Sequence, residues 1–237
     1  NGFPTTIKNL TINNTAGVTL SANTSVNGAL NLINGNLLTN VNTLSVGTSV
    51  TNPGSLNVTA GKAIGNFNRW ISNSSNILFP VGTSATKYTP VELNNVVGSG
   101  AFTVNAIPGI HPNAPGSNVL QMYWELTNLG LTSADLTFNY LDADVVGDEN
   151  QYELGRYNGI SWDILSPVTL NTTNNTASIS GINSFSDWTL GEDGALPVEL
   201  TSFSATSTGS TIRLDWNTAT EINNYGFEIE RKVGSPQ

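Results

Sequence analysis

The feature that most limits what this chain can become is a series of short apolar alternations: Leu10-x-Ile12, Val18-x-Leu20, Leu30-x-Leu32, Leu44-x-Val46 and Leu56-x-Val58. Each alternation has period two, so it puts its apolar pair on one face of an extended strand. Each is too short to build the 3.6-residue stripe of a helix. Between them stand polar corners such as Asn27-Gly28, Asn34-Gly35 and Pro53-Gly54, residue types that supply turn geometry. Residues 1–62 therefore read as β-solenoid-like strand repeats or as a meander. In the solenoid reading the inward residues stack into a continuous core, and an end coil needs a cap or a partner.

Residues 63–194 carry a different pattern, that of an antiparallel β-sandwich. Met122, Trp124 and Leu126 share one strand face, and Leu136, Phe138 and Tyr140 share another. The run Arg156-Tyr157-Asn158-Gly159-Ile160-Ser161-Trp162 reads as a hairpin, with Asn-Gly suited to a type I′ turn. The polar loop 171–175 separates two more strands, and Pro108, Pro112 and Pro115 mark a loop over 108–118. Residues 191–197 read as a linker. Strands are expected at 199–206, 211–217 and 225–232, with Ile212, Leu214 and Trp216 on one face around a buried Trp. The fold class is thus all-β, with residues 195–237 forming the first three strands of an incomplete sandwich, since a small sandwich has about seven.

Composition narrows function. Charged residues make up only 11%, against about 25% in ordinary soluble domains. Asn, Thr, Ser and Gly take their place. Eight Lys plus Arg and a net charge of −9 leave no basic patch for nucleic acid and no attraction to an anionic bilayer. No apolar run approaches the ~20 residues that span a membrane as a helix. There is no cysteine, which removes disulfides, thiolate metal sites and cysteine nucleophiles. The chain begins Asn1-Gly2-Phe3-Pro4, as expected where a signal has been removed or where the numbering starts inside a longer chain.

The C-terminal wording points to a family. Leu196-Pro197-Val198-Glu199-Leu200-Thr201-Ser202-Phe203 and the run from Leu214-Asp215-Trp216-Asn217 to Glu228-Ile229-Glu230-Arg231 closely resemble a segment near the C-terminus of large secreted proteins of Bacteroidota and their relatives. There the segment opens a fibronectin type III-like module ahead of a type IX secretion sorting domain. Phe79-Pro80-Val81-Gly82, Tyr123-Trp124, Tyr140-Leu141-Asp142-Ala143-Asp144-Val145 and Phe185-Ser186-Asp187-Trp188 are similar to surface proteins of the same group. The resemblance implies export across the outer membrane, an extracellular or cell-surface location, and no catalytic residues. In this sequence the fibronectin-like module stops after its third strand. Either the sequence ends there, or the missing strands come from another chain, because an incomplete sandwich exposes edges that accept a strand.

Candidate sites are few. His111 is the sole histidine and lies in the Pro-rich loop, so it reads as a solvated side chain and not as the base of a triad; no Gly-x-Ser-x-Gly elbow accompanies it. Asp142, Asp144 and Asp148 sit in Asp142-Ala143-Asp144-Val145-Val146-Gly147-Asp148-Glu149-Asn150. Carboxylates this dense suit a calcium ion, which takes six to eight oxygens, although the spacing is not that of an EF-hand. They equally suit an acidic turn in which Asp bonds nearby backbone N–H groups. Calcium is the one cofactor considered, and no residue is assigned to catalysis or to any other cofactor. Trp70, Tyr88, Tyr123, Tyr157 and Trp162 either fill the core or, where they face outward as Tyr123 and Tyr157 do, offer a platform for sugar rings. The Asn-x-Ser/Thr triplets, Asn9-Leu10-Thr11 and Asn57-Val58-Thr59 among them, suggest side-chain ladders on exposed strand faces. Two functional readings follow. The first is a non-enzymatic subunit of an extracellular filament or surface layer, self-associating through β-strand contacts. The second is an adhesin or carbohydrate-binding module of a larger secreted protein, with a glycan as partner.

Overall fold

A computed structural model describes residues 2–72, 74, 76–114, 116–192, 195–196, 200–209 and 211–218. The chain is all-β. Its first part winds in coils whose strands stack in parallel on three faces. The first coil holds β1 (Thr6–Ile7), β2 (Leu10–Asn13) and β3 (Val18–Thr19). The second holds β4 (Thr24–Val26), β5 (Ala29–Asn34) and the start of β6 (Asn36–Val46). The third holds the rest of β6, then β7 (Ser55–Val58) and the start of β8 (Lys62–Ser72). Thr6 lies beside Ser25, Ser25 beside Ser45 and Ser45 beside Asn68, all in parallel register. A meander would pair antiparallel.

The apolar alternations become vertical stacks. Leu10, Leu30 and Leu56 align on one face, as do Ile12 and Leu32, with Val58 next in line. On a second face Val18, Leu37 and Ala63 align, and Val81 continues the row through a parallel bridge. Corners are closed by side-chain amides that reach twenty residues along the chain. Asn9 Oδ1 accepts from the Ala29 N–H, and Asn23 Oδ1 from the Thr43 N–H, both at 2.9 Å. Outside the coils Asn57 Nδ2 donates to Asn31 Oδ1 at 2.8 Å, and Asn31 Nδ2 donates to Thr11 Oγ1 at 3.1 Å. This is a side-chain ladder of the kind the Asn/Thr richness suggests. Close stacking also needs glycine at a corner. Gly35 has φ of +86°, and a Cβ there would lie 1.8 Å from the Asn14 carbonyl oxygen.

The second part is a sandwich made by bending two long strands. β9 (Ile77–Phe79), β10 (Val91–Pro108) and β11 (Met122–Asn139) are followed by β12 (Tyr152–Tyr157), β13 (Trp162–Ile164), β14 (Thr169–Asn171), β15 (Thr176–Ile182) and β16 (Asp187–Glu192). β10 and β11 pair antiparallel along their length, but the register breaks between Asn94 and Ala101. The first half of β10 lies with β9, and the second half of β11 with β15 and β14. The other halves join β8, β16, β12 and β13. Trp124 and Phe138 belong to the same strand, and a straight strand would hold them roughly 45 Å apart. Their ring centroids are 4.9 Å apart, so the strand pair folds over and packs on itself. Phe138 also meets Trp188, while Phe102 packs between Phe79 and Phe185.

Coils and sandwich are continuous. β8 pairs with β6 in parallel on one edge and with β10 antiparallel on the other, and one apolar cluster runs from Leu10 to Leu190. The expected boundary at 62/63 coincides with the start of this shared strand. Three local expectations change. The hairpin at 156–162 forms, with Tyr157 beside Trp162, but its loop has four residues. Among these only Gly159 has positive φ, and Asn158 Oδ1 accepts from the N–H groups of Ile160 and Ser161. An Asx-type turn therefore replaces type I′. The linker read at 191–197 is partly structure: β16 runs through Glu192, and Ala195 and Leu196 are buried against Trp162, Ala114 and Val119. Finally, β17 (Leu200–Thr208) and β18 (Thr211–Thr218) pair antiparallel, but Trp216 is 38% exposed and Ile212 62% exposed, so this Trp is not a core residue. The strand expected at 225–232 lies outside the described residues.

Trp124 is fully buried, and its Nε1 donates to the Thr89 carbonyl at 3.0 Å. Trp124→Ala is expected to cost about 3–5 kcal/mol through the cavity it leaves, read from urea unfolding followed by far-UV circular dichroism. A loss under about 1 kcal/mol would mean that the bent-strand core does not depend on this ring.

Candidate functional site

The three acidic-loop carboxylates weighed for calcium each have a partner within the fold. Asp142–Asp144 and Glu149–Gln151 form two short 3-10 turns that send the carboxylates in different directions. Asp142 Oδ1 accepts from Asn175 Nδ2 at 2.7 Å. Asp144 is buried and ion-paired with Lys87. Asp148 Oδ1 caps its own turn, accepting from the Asn150 N–H at 3.1 Å and from Asn150 Nδ2 at 3.0 Å. Among the described residues no three His, Cys, Asp or Glu side chains are grouped to hold a metal. The three residues weighed for calcium, Asp142, Asp144 and Asp148, thus have three separate partners within the fold.

The convergent polar site lies elsewhere, on the outer face of the sheet half that holds β16. Direct cross-strand partners put Asn105, Glu125, Asp187, Tyr157 and Trp162 in one row across β10, β11, β16, β12 and β13. The Pro-rich loop folds over this row. His111 is only 4% exposed, which overturns its reading as a solvated side chain. Its ring lies 4.8 Å from Tyr123, 5.0 Å from Tyr157 and 4.9 Å from Trp162. Nδ1 accepts from the Asn113 N–H at 3.1 Å, which leaves Nε2–H to donate to Asp187 Oδ2, also at 3.1 Å. The loop is pinned by Trp162 Nε1, which donates to the Asn113 carbonyl at 2.8 Å.

Both outward tyrosines singled out from the sequence, Tyr123 and Tyr157, meet at this histidine. Trp162 is nearly buried beneath it, Trp70 is half-buried on β8, and Tyr88 is exposed away from the row. Glu125 and Asp187 stand directly opposite each other, a like-charge pair that a sheet does not favour. Burial and then Asp187 push the Glu125 pKa above the usual carboxylate range, while Asn105 Nδ2, 3.4 Å from Glu125 Oε2, pulls the other way. Burial, then Glu125 and Asp187, likewise raise the Tyr123 phenol. Asn105 also lies on the wall of a cleft of about 420 Å³ between coils and sandwich, with Leu38, Ile64, Ile107 and Pro108 around it.

The row brings two tyrosines, two carboxylates and an amide together on one sheet face. His111 uses both ring nitrogens on Asp187 and Asn113, so neither faces a nucleophile. The contribution of Glu125 and Asp187 was missed in the sequence, although the alternation that turns Met122, Trp124 and Leu126 inward also turns Tyr123 and Glu125 outward. No protein-family model, curated protein or solved structure matches this chain.

A folded pKa above the unfolded value means that the neutral Glu125 carboxyl favours the fold. That contribution is complete below the unfolded pKa and is lost as pH rises through the folded one. Glu125→Gln is therefore expected to be more stable than wild type at neutral pH by about 0.5 kcal/mol, a small figure because the pair is partly solvated. The difference should close below about pH 4. Urea midpoints at the two pH values test this; an equal gap at both would rule out the Asp187–Glu125 repulsion as its cause.

Proposed function

We propose that this chain is a non-enzymatic structural unit of an extracellular filament or cell-surface layer, assembled through β-strand contacts between subunits. The observation that carries the reading is the parallel register in which one coil lies on the next. Among the described residues β1, β2 and β3 pair on one side only, while Phe3, Ile7 and Val18 at that end are only partly buried. Parallel coils of this kind can take a further strand layer from another subunit, and a head-to-tail contact of that kind propagates as an open filament. The amide ladders support the same reading, since they stiffen stacked strands without using charge. Secretion by a type IX pathway, and a source among Bacteroidota and their relatives, are part of the proposal. They rest on the resemblance of residues 196–203 and 214–231.

A second reading is favoured by one specific arrangement. Tyr123 and Tyr157 flank His111 beside Glu125, Asp187 and Asn105, a combination of aromatic and hydrogen-bonding groups suited to a neutral glycan. In that case the chain is an adhesin or carbohydrate-binding module of a larger secreted protein.

Negative-stain electron microscopy of residues 1–237 separates the readings. Filaments are expected, and Ile7→Lys, which places a charge inside the coil edge, is expected to leave dispersed particles with a melting temperature within about 5 °C of wild type. Dispersed wild-type particles that bind on a glycan array, with binding lost in Tyr123→Ala, would replace the first reading by the second.

A further inference from the structure

Asn113 joins the Pro-rich loop to the sheet through both of its backbone groups. Its N–H donates to His111 Nδ1 at 3.1 Å, and its carbonyl accepts from Trp162 Nε1 at 2.8 Å. The first of these bonds exists only while Nδ1 is unprotonated. A proton there would set a donor against a donor at 3.1 Å.

The rest of the surroundings of His111 suit an imidazolium. On β16, Asp187 Oδ2 accepts from Nε2–H. On β11, Glu125 stands directly opposite Asp187, and His111 acts on it in favour of its ionised form. Tyr123 of β11 and Tyr157 of β12 supply neutral phenols, and β13 supplies the Trp162 ring. The basic residue of β12, Arg156, is engaged with Asp163 and with the Ser184 carbonyl. Two carboxylates thus attract a protonated ring, and one backbone N–H repels it.

The ring has little room to turn away, because three aromatic centroids lie 4.8–5.0 Å from its own. The loop is the softer partner. Gly109, at its start, has φ of +93°, and nothing lies within 4 Å of where a Cβ would stand. Ile110 is 40% exposed, and Pro112 and Asn113 are exposed. Ala114 is buried beside Val119, Trp162, Ala195 and Leu196, which anchors the far end.

We propose that residues 109–113 form a pH-operated clasp: protonation of His111 at Nδ1 expels Asn113, and the sheet face gains two free donors, His111 Nδ1–H and Trp162 Nε1–H. The imidazolium stays paired with Asp187, so the change is confined to the loop tip. At neutral pH Asn113 occupies both groups. In mild acid they stand beside Tyr157 and Tyr123, open to a carbonyl or hydroxyl acceptor of a ligand. The clasp operates alike in a filament unit and in a glycan-binding module.

Hydrogen exchange followed by NMR tests this at about pH 7.5 and about pH 5, which bracket the ordinary titration of imidazole. Protection factors remove the intrinsic effect of pH on exchange. The Asn113 amide and the Trp162 indole proton, the latter assigned with Trp162→Phe, are expected to lose about tenfold in protection at the lower pH. The Trp124 indole, which donates to the Thr89 carbonyl in the core, is expected to keep its protection. His111→Gln is expected to show equal protection at both pH values. Should that variant fail to fold, Asp187→Asn serves instead: it removes a charge that attracts the imidazolium, so release is expected only at lower pH. Unchanged protection of Asn113 and Trp162 in the wild type overturns the proposal. Parallel loss at Trp124, the same pH dependence in His111→Gln, or release at the wild-type pH in Asp187→Asn does so too.

Discussion

The two edges of β8 hold this molecule together. One edge continues the parallel stack of the coils, and the other begins the antiparallel sheet of the sandwich. A parallel coil stack has no intrinsic end, and a sandwich sheet has an edge that must be covered or protected. β8 meets both needs with one strand. Phe67 shows how the core follows: it aligns with Leu44 on the coil side and with Val104 on the sandwich side, and its ring meets Phe79 edge-on. Loss of this shared strand would leave an uncapped stack and an unpaired edge on the second half of β10, so the two parts are expected to unfold as one unit.

Much of this was legible in the sequence, because the readable signals are local. Leu10-x-Ile12 and its relatives point inward as their period requires, and Met122, Trp124 and Leu126 are buried as alternation requires. What alternation does not carry is direction. The same pattern suits a coil or a meander, and the parallel pairing, as of Thr6 with Ser25, distinguishes them. The shared role of β8 was hidden for a similar reason. Aromatics begin near residue 63, which looks like a change of domain, but a strand's two partners are set by tertiary contacts that leave no local trace.

The candidate site was less legible, and its error at His111 is instructive. A Pro-rich loop suggests exposure for His111, but the loop is drawn down by Trp162 Nε1 on the Asn113 carbonyl and by three aromatic rings around the imidazole. Those partners lie on other strands and are far away in sequence. Asp142, Asp144 and Asp148 show the converse, groups near in sequence with separate partners. Close spacing suggested convergence, yet Asn175, Lys87 and Asn150 each claim one carboxylate. Sequence density of acidic groups measures how many ligands exist, and the backbone turns decide where they aim.

A common economy of charge connects these features. A chain with few ionic groups must satisfy its polar surface with neutral ones, and here the amides of Asn9, Asn23, Asn31 and Asn57 do so between coils. Hydrogen bonds between neutral groups respond little to ionic strength, unlike exposed ion pairs, which salt screens. Coil stacking should therefore keep its strength across wide changes of salt. The few charges that are retained then stand out by contrast. Lys87 neutralises buried Asp144, and Arg156 ties Asp163 to the sandwich. Glu125 faces Asp187, and here the bonded partners are Asn105 and His111 in place of a Lys or Arg. In a surface made mostly of amides and hydroxyls, an unbalanced charge is where a partner has most to contribute.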